Sequence, residues 1–369
     1  MKEFVKKNLI NINFNKSLSK ILVIESDDWG AIRIPNKQVK KQLQYLNLIK
    51  AKDAFSEYDT LESEDDYSAL FEILSKHKDF KGNPAVLTAN MVMGNPDFSK
   101  IRESNFEEYF WEPFQKTYES YYPTQETLST LLLGINEKLI KPQFHAHEHL
   151  NVFQWLKRLK IEDKSYLDAF DLSCFAIDDN EKSNFRSNLM ATYDYRSTEE
   201  LEQIKNHIEK GLTHFQNTFG FNSQTTISPC YVWNEEIEKI FLNNNVKGLQ
   251  SSYVQMSNSP LTGQHKRIWR KMGTKNQFGQ IYTIRNVLFE PALSPSINWV
   301  DKAIESIEIA FFWGQPAVLA SHRINFVAGL SARNRTNSLE QLDLLLTKVL
   351  KKWPDIQFMN SAQLVDKYE

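Results

Sequence analysis

Cysteine, glycine and proline are scarce in this chain of 369 residues, which contains 2, 12 and 12 of them respectively. Two cysteines, Cys174 and Cys230, cannot form a disulfide scaffold, and such sparing use is typical of a reducing compartment, so a cytoplasmic location is expected. Because no Pro- or Ser-rich linker interrupts the chain, residues 1–369 are predicted to form a single domain, with an N-terminal extension over residues 1–19.

The chain also lacks an excess of charge of either sign and lacks long apolar runs. It has 44 Lys and Arg residues against 46 Asp and Glu, a net charge of −2, so no basic field attracts nucleic acid and no such partner is expected. No run of roughly 18 apolar residues occurs, which predicts that there is no transmembrane segment. Residues 1–19 lack the apolar core of a secretory signal and are interpreted as a mobile or strand-docked terminus.

Short apolar runs alternate with longer amphipathic stretches along most of the sequence, a pattern typical of βα units around a mostly parallel sheet. The predicted strands are Lys20–Glu25, Pro84–Ala89, Gln143–His147, Thr225–Ser228, Lys247–Ser251, Pro316–Ser321 and Ile356–Met359. The predicted helices are Asp65–His77, Glu126–Ile140, Thr198–Phe219, Asn234–Asn244, Trp299–Trp313 and Leu339–Trp353. Capping boxes are predicted at Ser197 with Glu200 and at Ser338 with Gln341.

Three segments fit neither period and are predicted to be long loops at the substrate end of the sheet: Ala51–Glu64, Met93–Tyr122 and Val254–Gly279. The middle segment is rich in aromatic residues, which could stack on sugar rings but more often serve as packing.

The first chemical signal is the pair Asp27 and Asp28, directly after the apolar run Ile21–Ile24. Carboxylates at the carboxyl end of a parallel strand lie where such folds place active sites. Adjacent aspartates repel each other unless a cation, a proton or hydrogen bonds hold them, which favours a metal position. Taken alone, the pair is equally compatible with a turn that caps the next helix.

The second signal is a group of three histidines, His145, His147 and His149, at the end of another predicted strand. Residues i and i+4 share a face in both a strand and a helix, so His145 and His149 can converge in either conformation, whereas His147 joins them only if the backbone is extended. Two histidines with one aspartate form a metal site that leaves a coordination position for water.

The third signal is His322, where the apolar strand Pro316–Ser321 ends. A histidine there can act as a general acid at the same edge of the sheet as the other two signals, although it can also simply hydrogen-bond a carbonyl group.

In combination, these motifs resemble those of the NodB-type polysaccharide deacetylases, which are metal-dependent carbohydrate esterases. The family's T-F-D-D, H-(S/T)-x-x-H and L-x-L-H motifs correspond to Glu25–Asp28, His145–His149 and Leu319–His322, and its R-x-P-Y turn corresponds loosely to Ser228–Tyr231. The motifs follow in the family's order from about Lys20 to Arg323. The resemblance implies an α/β fold, a distorted (β/α)7-type barrel with long βα-loop insertions.

The resemblance also implies roles. Asp28, His145 and His149 would bind a divalent metal ion, with Zn²⁺ the expected ion, while Asp27 would be the general base and His322 the general acid. A backbone N–H near Tyr231 is a candidate donor to the oxyanion. The substrate would be an N- or O-acetylated sugar or polysaccharide precursor, such as one of the bacterial surface. Neighbouring residues expected to support the site or contact the sugar are Trp29, His147, Tyr231, Trp233, Arg285 and Arg323.

Some family features are altered. Ile227 replaces the arginine before the turn, Ala146 replaces the Ser or Thr after the first histidine, and the D-x-x-D-W segment has no clear counterpart. Arg285 and Arg323 are the two candidates for the missing guanidinium. These changes leave two alternatives open: a catalytically weak or inactive glycan-binding barrel, and a glycoside hydrolase on a related barrel that uses Asp27 or Glu25 with another carboxylate.

Overall fold

A computed structural model describes residues 2–13, 15–17, 19–50, 53–177, 189–259 and 264–369. The strands of the described residues are β1 (Ile21–Trp29), β2 (Leu87–Val92), β3 (Gly94–Pro96), β4 (Trp111–Pro113), β5 (Ile140–Ala146), β6 (Thr225–Ile227), β7 (Gly248–Ser251), β8 (Val254–Asn258), β9 (His265–Trp269), β10 (Ile281–Ile284), β11 (Val287–Leu288), β12 (Ala317–His322) and β13 (Gln357–Met359).

The helices of the same residues surround these strands. They are α1 (Lys2–Asn11), α2 (Lys37–Tyr45), α3 (Ala54–Tyr58), α4 (Glu64–Lys76), α5 (Phe98–Glu103), α6 (Phe114–Tyr121), α7 (Thr127–Asn136), α8 (Val152–Lys160), α9 (Lys164–Asp171), α10 (Thr198–Phe219), α11 (Glu235–Asn243), α12 (Trp299–Phe312), α13 (Ala332–Lys352) and α14 (Ser361–Asp366).

The central sheet is parallel and curls into a barrel. Its strand order is β10-β7-β6-β5-β2-β1-β12-β11, and β13 pairs with the first residues of β1. The segment 281–288 joins the two ends of this sheet, because its first half, β10, pairs with β7 and its second half, β11, pairs with β12. Counted as one interrupted strand, β10 and β11 complete seven barrel strands in the described part of the chain. The predicted distorted (β/α)7-type barrel is therefore confirmed.

The barrel strands are apolar because both of their faces are buried. All nine residues of β1 are buried, and its apolar run lies in the same core cluster as the inward and outward residues of β12 and β2. The seven predicted strands all occur, each within a few residues of its predicted bounds. The strand β10 was not predicted, because its four residues, although all buried, stand next to a polar segment and form a short run.

One of the two predicted helix caps is correct. Ser197 caps α10 and accepts a hydrogen bond from the Glu200 backbone N–H, although the Glu200 carboxylate accepts from Arg196 N–H rather than closing the box on Ser197. The predicted cap at Ser338 is wrong. Helix α13 begins seven residues before the predicted start, capped by Ser331, and Ser338 is buried inside it.

The predicted loops contain structure of their own. Residues 93–122 form the β3–β4 hairpin with α5 and α6, and residues 254–279 include the β8–β9 hairpin, whose residues 260–263 lie outside the described part. The segment Ala51–Glu64 contains α3. Its residues 51–52 also lie outside the described part of the chain. Among the aromatic residues of the middle segment, Phe114 and Tyr118 are buried in the core and Phe106, Tyr109 and Phe110 pack against a second cluster, whereas Tyr121 is exposed. Most of them therefore serve as packing.

The N-terminal segment is helical, which corrects its interpretation as a mobile or strand-docked terminus. Helix α1 packs on α12, where Lys7 Nζ lies 2.6 Å from Glu305 Oε2 and Trp313 Nε1 donates to Asn8 Oδ1 at 2.8 Å. None of the described helices combines the length and the apolar character needed to cross a bilayer.

Arg323 is completely buried just after β12, away from solvent and from any substrate surface. Its guanidinium donates to Asp59 Oδ1 at 2.7 Å, to Glu62 Oε2 at 2.9 Å and to the carbonyl of Ala31. Glu62 also accepts hydrogen bonds from the hydroxyl groups of Tyr67 and Tyr118. Arg323 therefore fixes the end of β12 to the loop that precedes α4.

Replacing this cation should destabilise the fold. Arg323→Met leaves two buried carboxylates without their partner, so the free energy of unfolding in urea should decrease by about 3–5 kcal/mol. Lys352→Met is the matched control, because Lys352 pairs with Glu308 at an exposed position, where the loss should be below about 1 kcal/mol. Equal losses in the two variants would contradict a structural role for Arg323.

Candidate metal centre

The end of β1 is irregular in a way that brings two adjacent carboxylates to the barrel mouth. Successive side chains of a regular strand point to opposite faces. Here the pairing of β1 with β2 shifts register between Ser26 and Trp29, and Asp28 has a φ of +76°, a conformation that is costly for a non-glycine residue. Gly30 follows with a φ of +85°, and a Cβ there would lie 2.5 Å from the Val92 carbonyl oxygen, so only glycine fits.

The end of β5 has a similar irregularity at the first histidine. Met91 of β2 pairs with Phe144, but the next residue, Val92, pairs with Ala146, so His145 is the extra residue of a β-bulge. Its Nδ1–H donates to the Ile227 carbonyl oxygen at 2.8 Å. This bond leaves the Nε2 lone pair free to point into the mouth, the arrangement that orients histidine ligands in metal sites.

Asp28, His145 and His149 converge on one point, as the sequence predicted. The Asp28 Oδ1 atom lies 3.4 Å from His145 Nε2 and 3.3 Å from His149 Nε2. Two ligands that bind one Zn²⁺ at about 2.0–2.1 Å in tetrahedral geometry lie about 3.3–3.4 Å from each other. Asp28 Oδ1 is also buried without a hydrogen-bond partner among the described residues. Both observations fit a metal ion at this point.

The protonation states of these residues also suit a metal. Burial lowers the pKa of His149 to about 4, despite the opposing effect of the Asp28 charge, so the imidazole is neutral near pH 7. Burial alone would raise the pKa of Asp28, but the charges of the neighbouring histidines outweigh it and hold that pKa well below its usual value. Metal ligands must be deprotonated, and these two are so at neutral pH.

His147 does not join this group, because β5 ends at Ala146 and the backbone beyond it is bent rather than extended. It belongs instead to a second cluster with Glu148 and His207 of α10. The Nδ1 atom of each histidine contacts one oxygen of the Glu148 carboxylate. We interpret this cluster as a buried hydrogen-bond network that anchors the segment 147–149 to α10, and the expected placement of His147 beside the metal site is wrong.

The predicted base, Asp27, is held by a guanidinium. Arg285 lies just after β10 and donates from Nη1 to Asp27 Oδ2 and from Nη2 to Asp27 Oδ1, both at 2.6 Å, while its Nε donates to Glu25 Oε2 at 2.7 Å. Asn90 Nδ2 donates to Asp27 Oδ1 at 2.8 Å. Burial would raise the pKa of Asp27, but Arg285 outweighs it and lowers that pKa to about 2. Of the two candidate arginines, the structure places Arg285 at the base and Arg323 elsewhere.

The predicted acid, His322, lies beside Asp27, because the two residues are partners where β1 pairs with β12. Its Nε2 is 3.8 Å from Asp27 Oδ2, and its Nδ1 is 2.6 Å from Glu290 Oε1. Burial lowers the pKa of His322, but the Glu290 carboxylate outweighs this effect and raises it to about 10, so the ring is protonated at neutral pH. The side chain is 28% exposed, which allows contact with a substrate.

The remaining predicted residues lie behind the site. Trp29 and Trp233 are buried in the core and donate their indole N–H groups to Ser26 Oγ and Glu238 Oε1, so neither faces a sugar. Tyr231 is partly buried, and its hydroxyl lies 3.5 Å from Arg285 Nη1. Its backbone N–H donates to the Ser228 carbonyl at 2.9 Å, which removes it as an oxyanion donor.

Sequence reasoning missed Glu290, which takes the place of the carboxylate partner of the acid. It is fully buried and also accepts from Asn325 Nδ2 at 2.7 Å. The available signal was its position just after the strand-like segment 285–289. Sequence reasoning also missed Phe55 of α3, whose ring lies edge-on to His322 at 5.4 Å and faces the Arg33 guanidinium at 4.9 Å. Because Phe55 belongs to an insertion, no periodic pattern marked it.

No family model and no curated protein matches the sequence. Among solved structures, the chain is similar to 4-alpha-glucanotransferase from Thermococcus litoralis, at 9% identity and a TM-score of 0.48, over 95% of this chain and 40% of that one. It is similar to a protein classed as a glycoside hydrolase/deacetylase from Parabacteroides distasonis, at 9% identity and 0.49, over 97% and 72%. It is also similar to a CE4 family pseudoenzyme from Bacillus anthracis, at 10% identity and 0.40, over 95% and 66%. Similarity at this level of identity is no evidence for a shared activity. The evidence for the barrel fold is the strand pairing of this chain.

Metal binding can be tested directly. After loading with Zn²⁺ and desalting, the wild-type protein should retain one ion per chain by mass spectrometry. His149→Ala and Asp28→Asn should each weaken Zn²⁺ binding by at least about 100-fold, because losing a ligand costs more affinity than losing a residue that only hydrogen-bonds to a ligand. His77→Ala is the matched control and should retain the ion, because His77 pairs with Asp343 and takes no part in the metal centre. Full occupancy in His149→Ala would show that the ligand assignment is wrong.

Proposed function

We propose that this protein is a metal-dependent hydrolase that removes acetyl groups from an N- or O-acetylated sugar or polysaccharide precursor. The observation that carries the proposal is the grouping of a carboxylate–histidine ligand set with an ionised carboxylate, Asp27, and a protonated imidazole, His322, whose Nε2 lies 3.8 Å from Asp27 Oδ2. Hydrolysis of an amide or ester needs these three elements: a Lewis acid, a proton acceptor and a proton donor.

Asp28, His145 and His149 would hold the ion, for which Zn²⁺ is our proposal because two imidazoles and one carboxylate suit it. Such an ion polarises an acyl carbonyl and lowers the pKa of water to about 7 when bound. The protein supplies the rest of the chemistry through groups that are already oriented.

Asp27 would accept the proton of the attacking water. Its two oxygens are aligned by the parallel hydrogen bonds from Arg285, the strongest geometry available to a carboxylate. With a pKa of about 2, the group is ionised across the whole working range of pH. A low pKa makes a weak base, so Asp27 can accept this proton only where the water itself has been acidified.

His322 would donate the proton that the leaving group needs. Glu290 holds Nδ1, so the proton that can be donated is the one on Nε2, which lies 3.8 Å from Asp27 Oδ2 on a side chain that is 28% exposed. As the water oxygen bonds to the acyl carbon, the C–N or C–O bond to the sugar breaks, and the departing nitrogen or oxygen receives the His322 proton. The products are acetate and the free amine or hydroxyl group of the sugar.

The glycoside hydrolase alternative fits the geometry less well. Such an enzyme needs a second free carboxylate beside the sugar. Glu25 is completely buried and bonded to Arg285 and Ser361, and burial raises its pKa, so it cannot reach a sugar. The inactive-barrel alternative rested on the missing arginine and Asp-Trp motifs. Arg285 supplies a guanidinium to Asp27 and Glu290 supplies a carboxylate to His322, which favours an active site.

An assay on a panel of N- and O-acetylated oligosaccharides separates these functions. The Zn²⁺-loaded protein should release acetate and leave the chain length of the oligosaccharide unchanged. A shortened oligosaccharide would support the glycoside hydrolase, and saturable binding without either product would support the binding barrel. Both results would overturn the deacetylase proposal.

Removing the proposed base should separate turnover from metal binding. Asp27→Asn keeps the shape of the side chain but cannot accept a proton, so turnover should decrease by about 10²–10⁴-fold while the Zn²⁺ content stays at one per chain. Asp355→Asn, at an exposed ion pair with Lys20, is the control and should change neither quantity. Undiminished acetate release by Asp27→Asn would exclude Asp27 as the base.

The pH dependence follows from the shifted pKa values. Activity should fall in acid as His149, with its pKa of about 4, is protonated and the metal is lost, and in alkali as His322 loses its proton near pH 10. Glu290→Gln removes the charge that raises the pKa of His322, so the alkaline limb should move to lower pH while the acid limb stays in place. An unchanged alkaline limb in Glu290→Gln would show that His322 is not the acid.

A further inference from the structure

A second surface with a distinct chemical character lies between α1 and the β8–β9 hairpin. We call it the α1–hairpin surface. Its apolar members protrude into solvent: Trp269 is 72% exposed, Leu9 is 63% exposed, and Phe4 and Val5 are also exposed. Together with Tyr253 and Ile10, several of these side chains line a shallow groove of about 570 Å³. None of these residues takes part in the metal centre.

Basic side chains surround this apolar patch. Lys6, Arg270 and Lys271 line the groove, and Lys266 and Arg267 are exposed on β9 beside Trp269. Lys6, Lys266, Arg267 and Lys271 have no carboxylate within ion-pair distance in the described part of the chain. The nearby acidic residues are neutralised, since Glu3 pairs with Lys302 and Glu305 pairs with Lys7. The surface is therefore positive on a protein whose net charge is −2.

We propose that the α1–hairpin surface binds the surface of a bilayer that contains anionic lipid. A helix with exposed Phe, Val and Leu beside lysines, next to a protruding tryptophan, has the composition that inserts into the headgroup boundary while its cations meet lipid phosphates. Trp269 and Leu9 line the same shallow groove as Lys6 and Lys271, so exposed apolar surface and positive charge lie on one side of the molecule. An anionic bilayer surface matches this combination, because it offers both an apolar boundary and negative charge.

Vesicle sedimentation tests this proposal without any reference to enzymatic activity. The full-length protein should pellet with vesicles of phosphatidylcholine that contain about 30% phosphatidylglycerol and stay in solution with pure phosphatidylcholine. Binding should weaken several-fold between about 0.1 M and about 0.5 M NaCl, because salt screens the exposed charges. Absence of binding to the anionic vesicles, or equal binding to both kinds, would overturn the proposal, and in the first case an acidic protein becomes the better partner.

Paired variants assign the binding to this surface. Trp269→Ser should reduce the fraction bound at least fivefold, and so should Lys6→Glu combined with Lys271→Glu. Phe80→Ser and Lys41→Glu, at exposed positions on the loop after α4 and on α2, are the matched controls and should bind like the wild type. An equal loss in the controls, or none in the surface variants, would contradict the assignment. An unchanged melting temperature confirms that each variant is folded.

Discussion

The contact between Arg285 and the two carboxylates of β1 is the interaction on which the barrel and its site both depend. Arg285 lies where the segment 281–288 changes its partner from β7 to β12, and its backbone N–H donates to the Ser251 carbonyl at 2.9 Å. Its side chain reaches Glu25 and Asp27 inside the barrel. The burial of two carboxylates in one strand would be costly without a cation. One guanidinium therefore joins the sixth barrel strand to the first and orients the proposed base.

The charges around the mouth compensate one group less directly than the others. Asp27 is balanced by Arg285, and the protonated His322 is balanced by Glu290. Asp28 is compensated less directly, because the histidine closest to it, His149, is neutral at physiological pH and the protonated His322 acts on it only through space. A buried carboxylate without a cation in contact is costly, and the strained backbone of Asp28 adds to that cost. The divalent cation proposed for this site would supply the charge that the surrounding side chains do not.

The strand ends could be predicted from the sequence, whereas the partners of their side chains could not. Apolar runs that stop at Asp27, His145 and His322 indicate where parallel strands end, and the carboxyl ends of parallel strands share one edge. The bulge at His145 and the positive φ of Asp28 are local distortions that no residue pattern marked. They decide which face each side chain takes, and the departure from extended backbone after Ala146 is the reason that His147 points towards α10 and not towards the metal site.

The choice between Arg285 and Arg323 shows why a missing motif is weak evidence for a missing site. Both arginines follow barrel strands, so the sequence could not rank them. In a curled sheet, however, inward-facing positions at the same height on any strand are close to the centre. The guanidinium that the resemblance led us to expect in the turn after β6 can therefore be supplied by the residue after β10, and Glu290, after β11, supplies a carboxylate beside His322. What the chemistry requires is the set of charges around the mouth, and different strands can deliver the same set.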